Sequence, residues 1–203
     1  MLFSFLLSTA LAAPVPATNP LPTVTASSFR IGQEWIWDYS EASGAPYSSE
    51  RYRVIAIRGN IVEFEMASTY GNAAGEPIPE TPHHRLIADL ARCLKAHANP
   101  ASPQPWSIEL LYWDQKQAKW ISGGIQHPLA FEEKFNCDPH ARSTPYRDPV
   151  QLDQKQGVDA FHSRSRNGQD RSWYELDGTN AAVAVEKEFH QQGRLTYRFI
   201  RRR

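Results

Sequence analysis

The chain has 203 residues with 22 basic and 22 acidic side chains, so no global charge directs it towards nucleic acid or an acidic surface. A chain of this length buries most of its apolar surface in a single domain. It contains no glycine-rich phosphate loop, no nucleophile elbow and no basic stripe interleaved with aromatics, so no catalytic residue, cofactor or nucleic-acid partner is assigned.

Residues 1–13 carry no charged side chain. Leu2, Phe3, Phe5, Leu6, Leu7 and Leu11 form a short apolar run closed by Ala10-Leu11-Ala12-Ala13, the pattern of a secretory signal peptide cleaved near Ala12 or Ala13. The run is too short for a bilayer, which needs about 20 apolar residues, and no later segment is long and apolar enough to span one. The mature chain is expected in the periplasm or outside the cell, soluble and without a lipidated cysteine. Residues 14–28 hold Pro14, Pro16, Pro20 and Pro22 among small and polar residues, which reads as an extended linker. A single β-rich domain is expected over residues 29–203.

Alternation with period two begins in residues 33–39, where Trp35, Trp37 and Tyr39 share one face. Residues 51–58 and 61–67 flank Gly59-Asn60, a two-residue connection suited to a tight hairpin. The period then changes. Thr81-Pro82 supplies an N-cap and a first-turn proline, and Leu86, Leu90, Cys93 and His97 follow at helical spacing, so a helix of about fifteen residues is expected. Strands resume at 106–113 and 119–122, with a further one at 129–135. Residues 136–157 are polar and proline-containing and read as a long loop. Four strands close the chain at 158–165, 171–176, 181–189 and 194–200, joined through Asn167-Gly168, Asp177-Gly178 and Gln191-Gln192-Gly193.

The expected fold is mainly β: a curved antiparallel meander of about nine or ten strands, closed as a barrel or open as a half-barrel, with one helix packed against it. Cys93 and Cys137 are the two cysteines, and in an exported chain an even pair reads as one disulfide. That removes Cys93 and His97 as a metal pair, and no metal is assigned. The paired carboxylates Glu63/Glu65, Glu132/Glu133 and Glu186/Glu188 read as solvated strand faces. Arg198, Arg201, Arg202 and Arg203 read as a solvated chain end.

The six tryptophans are the remaining signal. Large rings on a concave sheet either fill a core or line a cavity for an apolar ligand; on the second reading Trp35, Trp37, Tyr39, Trp113 and Trp173 are the ligand-binding residues. The order of features, from Ile31-Gly32-Gln33-Glu34-Trp35-Ile36-Trp37-Asp38-Tyr39 through the Arg58-Gly59-Asn60 hairpin to Arg194-Leu195-Thr196-Tyr197-Arg198-Phe199, resembles periplasmic lipoprotein carriers of the LolA/LolB type and related half-barrel proteins. The resemblance implies a curved sheet capped by helix, with an apolar cavity for acyl chains. The function expected is thus a non-enzymatic exported binding or carrier protein for an apolar small molecule or lipid. The alternative is a protein-interaction module, such as an inhibitor, immunity protein or envelope-assembly factor.

Overall fold

The computed structural model describes residues 19–69, 78, 82, 84–98, 108–125, 131, 133–138, 141–153, 156–164, 170–175 and 182–202. The expected signal segment, residues 14–18 of the proline-rich lead and Trp106 lie outside them. Twelve strands among these residues form one antiparallel sheet: β1 (Asn19–Pro20), β2 (Glu34–Glu41), β3 (Pro46–Arg58), β4 (Ile61–Ser68), β5 (His84–Asp89), β6 (Ile108–Asp114), β7 (Lys119–Ile125), β8 (Arg142–Asp153), β9 (Gln156–Arg164), β10 (Arg171–Glu175), β11 (Ala184–Gln191) and β12 (Arg194–Arg202). Their spatial order is β1-β8-β9-β10-β11-β12-β2-β3-β4-β5-β6-β7. The sheet is mainly a meander whose two ends, β1 and β7, do not meet, so of the two closures expected the open one is found. It is strongly curved. In a flat sheet β8 and β12 would lie about 19 Å apart, yet their Cα atoms approach within 8 Å.

Turn chemistry sets the register. Gly59 has φ +59° and Asn60 does not enter the left-handed region, so β3 and β4 are joined by a II′-type connection pairing Arg58 with Ile61. Gln192 and Gly193 both have positive φ, at 52° and 76°, as a type I′ turn between β11 and β12 requires.

Four expectations change. The helix expected from Thr81 is only α1 (Leu90–Ala98), and β5 precedes it. Leu86 and Leu90 are four apart, a spacing common to both periods. Leu86 and Ala88 alternate inward against Phe64 and Val62, which settles the first half as strand. Asp89, not Thr81, caps the helix, its Oδ1 accepting from the Arg92 amide at 3.1 Å. In the segment 129–135 the described residues form a turn, with one isolated bridge from Phe135 to Val183. The polar stretch expected as a loop at 136–157 contains β8, an outer strand with a two-residue neighbour on one side, where polar side chains and prolines are tolerated. Finally, residues 19–28 are not a free linker. β1 pairs with β8, and Leu21 and Val24 are buried, because these two apolar side chains find the core between the prolines.

The core sits on the concave face. Trp35 and Trp37 of β2, Tyr52 and Val54 of β3, Val62 and Phe64 of β4, Leu86 and Ala88 of β5 and Phe199 of β12 point into it. Three pieces cover them: the lead through Phe29, helix α1, and the segment containing Phe131, Lys134, Phe135 and Cys137. Cys137 is disulfide-bonded to Cys93 of α1 as expected, with Cα atoms 6.0 Å apart.

Candidate functional site

Phe135 decides what the aromatic face does. Its ring lies 5.3 Å from Trp35 and 5.6 Å from Trp37, edge to face, and 5.5 Å from Phe64 and 4.8 Å from Phe131, tilted. Backbone bonds hold it there: Asn136 N donates to Ala182 O, Ala184 N to Lys134 O, and Val24 N to Asn136 O, each at 2.7 Å. The Asn136 side chain donates to Pro22 O at 2.8 Å. The part of the concave face bearing Trp35 and Trp37 is therefore filled by the chain itself.

Beside Phe135 stands Lys134, whose side chain is 1 % exposed. Its Nζ lies 3.0 Å from Glu50 Oε2 and 4.9–5.7 Å from the ring centres of Tyr52, Tyr39, Phe199 and Trp37. Burial pulls the ammonium's pKa down, but Tyr39 and Glu50 outweigh it and hold the group above the ordinary lysine range. The Tyr39 hydroxyl donates to the same Glu50 oxygen at 3.1 Å, and burial raises its own pKa well above the usual phenol. A buried charge with this many partners is a fixed structural cation, unsuited to act as a nucleophile.

Beyond this cluster the concave face opens. A cavity of about 590 Å³ lies between the β2–β3 hairpin and β12, lined by Tyr39, Glu41, Tyr47, Ser48, Glu50 and Tyr197 among others. Tyr47 is 55 % and Tyr197 41 % exposed. Tyr197 stacks one ring face on Phe189 at 4.1 Å, and its phenol is pushed up to about 12, by burial first and then by Glu133 and Asp170, with Lys134 opposing and Glu50 adding to the rise. A volume of this size matches ordinary small-molecule pockets.

The five expected ligand-binding residues are thus dispersed. Tyr39 lines the cavity. Trp35 and Trp37 are buried beneath Phe135, and the Trp37 indole donates to Ala184 O at 3.1 Å. Trp113 is exposed near the far edge, packed on Trp120 at 5.4 Å. Trp173 pairs in register with Glu186, which pairs with Ile200 and so with Asp38, placing it on the opposite face of the sheet from Trp37. Tyr47, Tyr197, Glu41 and Glu50 were missed. Period two from Trp35 does run on through Tyr39 to Glu41, and that signal was available. The C-terminal arginines expected to be solvated are partnered instead: Arg201 with Glu175, and Arg202 with Asp38 at 2.5 Å.

No family model and no curated protein matches the chain. Among solved structures it is similar to the hypothetical protein CT021 from Chlamydia trachomatis, at 11 % identity and TM-score 0.49, over 92 % of this chain and 93 % of that one. It is also similar to a DUF1329 family protein from Desulfovibrio piger, at 7 % identity and TM-score 0.34, over 83 % and 82 %. Neither description states an activity.

Proposed function

We propose that the chain is a non-enzymatic, extracytoplasmic binding protein that holds an apolar or amphipathic small molecule in the cavity beside Tyr39. The observation that carries this reading is the cavity itself, walled by Tyr39, Tyr47 and Tyr197 and left open beside a core otherwise filled by Phe135. Solvent-exposed rings on a rigid sheet bind apolar surface with little loss of side-chain freedom. The reading differs from the sequence expectation in the place of the ligand, since acyl chains along Trp35 and Trp37 would have to displace Phe131 and Phe135.

The neutral fluorophore N-phenyl-1-naphthylamine, titrated into the full chain, tests this. Saturable enhancement is expected, weakened about fivefold in Tyr197→Ala by loss of one ring contact. No saturable enhancement, together with no bound adduct in native mass spectrometry of the exported protein, would sink the reading.

A second reading, a protein-interaction module, is favoured by Tyr112, Trp113 and Ile121, exposed on the hairpin that ends the sheet at β7. An outer strand bearing exposed apolar side chains is a template for a partner strand. Capture of a protein by the full chain, abolished by Ile121→Lys while the fluorophore still binds, would select it.

A further inference from the structure

We infer that the ligand of this cavity carries a positively charged group, held by Glu41 and Glu50 against the tyrosine rings. The inference rests on the binding-protein reading above and adds the chemical class.

The charged side chains among the described lining residues are two carboxylates, Glu41 and Glu50, and none of those residues is basic. Glu50 is turned both ways. Its Oε2 receives the Lys134 ammonium at 3.0 Å and the Tyr39 hydroxyl at 3.1 Å. Its Oε1 has no partner among the described residues, and the side chain keeps 24 % exposure on the cavity wall. One carboxylate oxygen is therefore anchored from below while the other is presented to whatever enters. Glu41 stands on the same face of β2 two residues beyond Tyr39, with no ion pair or side-chain hydrogen bond among the described residues.

The nearby cations are each engaged beside this volume. Lys134 lies buried under Glu50 among four rings, and Lys187 packs its ammonium over Phe189 at 4.6 Å. Arg202 is engaged by Asp38, on the other face of β2. At the Tyr197 phenol Glu133, Asp170 and Glu50 together outweigh the opposing Lys134, in keeping with a negative field at the cavity wall. Aromatic faces add to that field, because the ring quadrupole attracts a cation. Tyrosine walls that present carboxylates thus suit an organic ammonium with an apolar body, and disfavour a fatty acid or other anion.

The experiment displaces N-phenyl-1-naphthylamine from the full chain with three ligands of similar size: benzyltrimethylammonium, benzyl alcohol and benzenesulfonate. The ammonium is expected to compete about tenfold better than the alcohol, with the sulfonate weakest. Glu41→Gln, at an exposed strand end that does not touch the Lys134 cluster, is expected to reduce that preference about threefold. If the fluorophore binds but the three ligands compete equally, or the sulfonate wins, the charge assignment is overturned and the cavity reading stands. An ammonium preference undiminished in both Glu41→Gln and Glu50→Gln also overturns it. If the fluorophore does not bind at all, both fall together.

Discussion

Lys134 is the charged residue most completely withdrawn from solvent among the described residues. Its ammonium is out of water, and its stability depends on Glu50 and on four ring faces. The two partners are unequal: Glu50 faces the cavity and retains water, whereas Lys134 does not. Glu50→Gln leaves a buried ammonium without its counter-charge and is expected to destabilise by about 3 kcal/mol. Lys134→Met leaves a carboxylate that solvent reaches and fills the ring box with a polarisable side chain, so about 1 kcal/mol is expected. The double variant should be more stable than Glu50→Gln alone, and urea midpoints of the three variants test this; equal losses in both single variants would contradict the asymmetry. Glu186 gives a pH signature on the other face. Burial lifts its pKa from 4.5 to about 7, with Arg198 opposing and Glu188 adding to the rise. The folded chain therefore holds a proton that the unfolded chain releases, and stability falls as pH rises from about 4.5 to about 7. Glu186→Gln removes that contribution. It is expected to gain of the order of 2 kcal/mol over wild type at pH 8 and nothing at pH 4, read from denaturant midpoints at the two pH values.

At the scale of elements, hairpins were legible and the filling of the sheet was not. The β3–β4 and β11–β12 connections follow from Gly59 and from Gln192-Gly193, because a two-residue turn and its flanking alternation are contained within about fifteen consecutive residues. Open antiparallel curvature follows from the number of such hairpins. The division of residues 84–98 into β5 and α1 was hidden because Leu86 and Leu90 satisfy both periods. Only the pairing of Leu86 with Phe64, twenty-two positions away, decides between them. The candidate site was legible only along β2, where Tyr39 was read and the same alternation reaches Glu41; its remaining walls come from the β2–β3 turn, β3 and β12, and sequence spacing does not say which strands meet. The same limit hid Phe135. Its neighbours Asn136-Cys137-Asp138-Pro139 have loop composition, and nothing local shows that the segment turns inward. The structure makes Phe135 the filler of the sheet, so Phe135→Ala is expected to destabilise by about 4 kcal/mol and leave a cavity among Trp35, Trp37 and Phe64. Chemical denaturation measures the loss. A cost under about 1 kcal/mol would mean that this face is not a packed core.

Over the whole molecule, the open sheet is stabilised by covering segments distant from one another in sequence. The lead contributes Leu21, Val24 and Phe29, helix α1 contributes Leu90 and Cys93, and the turn contributes Phe131, Phe135 and Cys137. None of these pieces is long enough to fold alone; a helix of nine residues is below the length at which isolated helices persist. Each is ordered by the concave face and by the other two. The Cys93–Cys137 bond is the covalent link within this set, closing a loop of 44 residues. Closing a loop of that length stabilises the fold by about 4 kcal/mol on the chain-entropy estimate. The consequence reaches the cavity, because Lys134, three residues before Cys137, anchors Glu50 in its wall. Cys93→Ser/Cys137→Ser is therefore expected to lose about 3–4 kcal/mol of stability, and to weaken N-phenyl-1-naphthylamine binding under conditions where far-ultraviolet circular dichroism still reports a folded sheet. Wild-type chain treated with dithiothreitol should behave in the same way. Full affinity in the reduced chain would mean that the sheet alone positions Glu50, and that the covering turn contributes to stability without shaping the site.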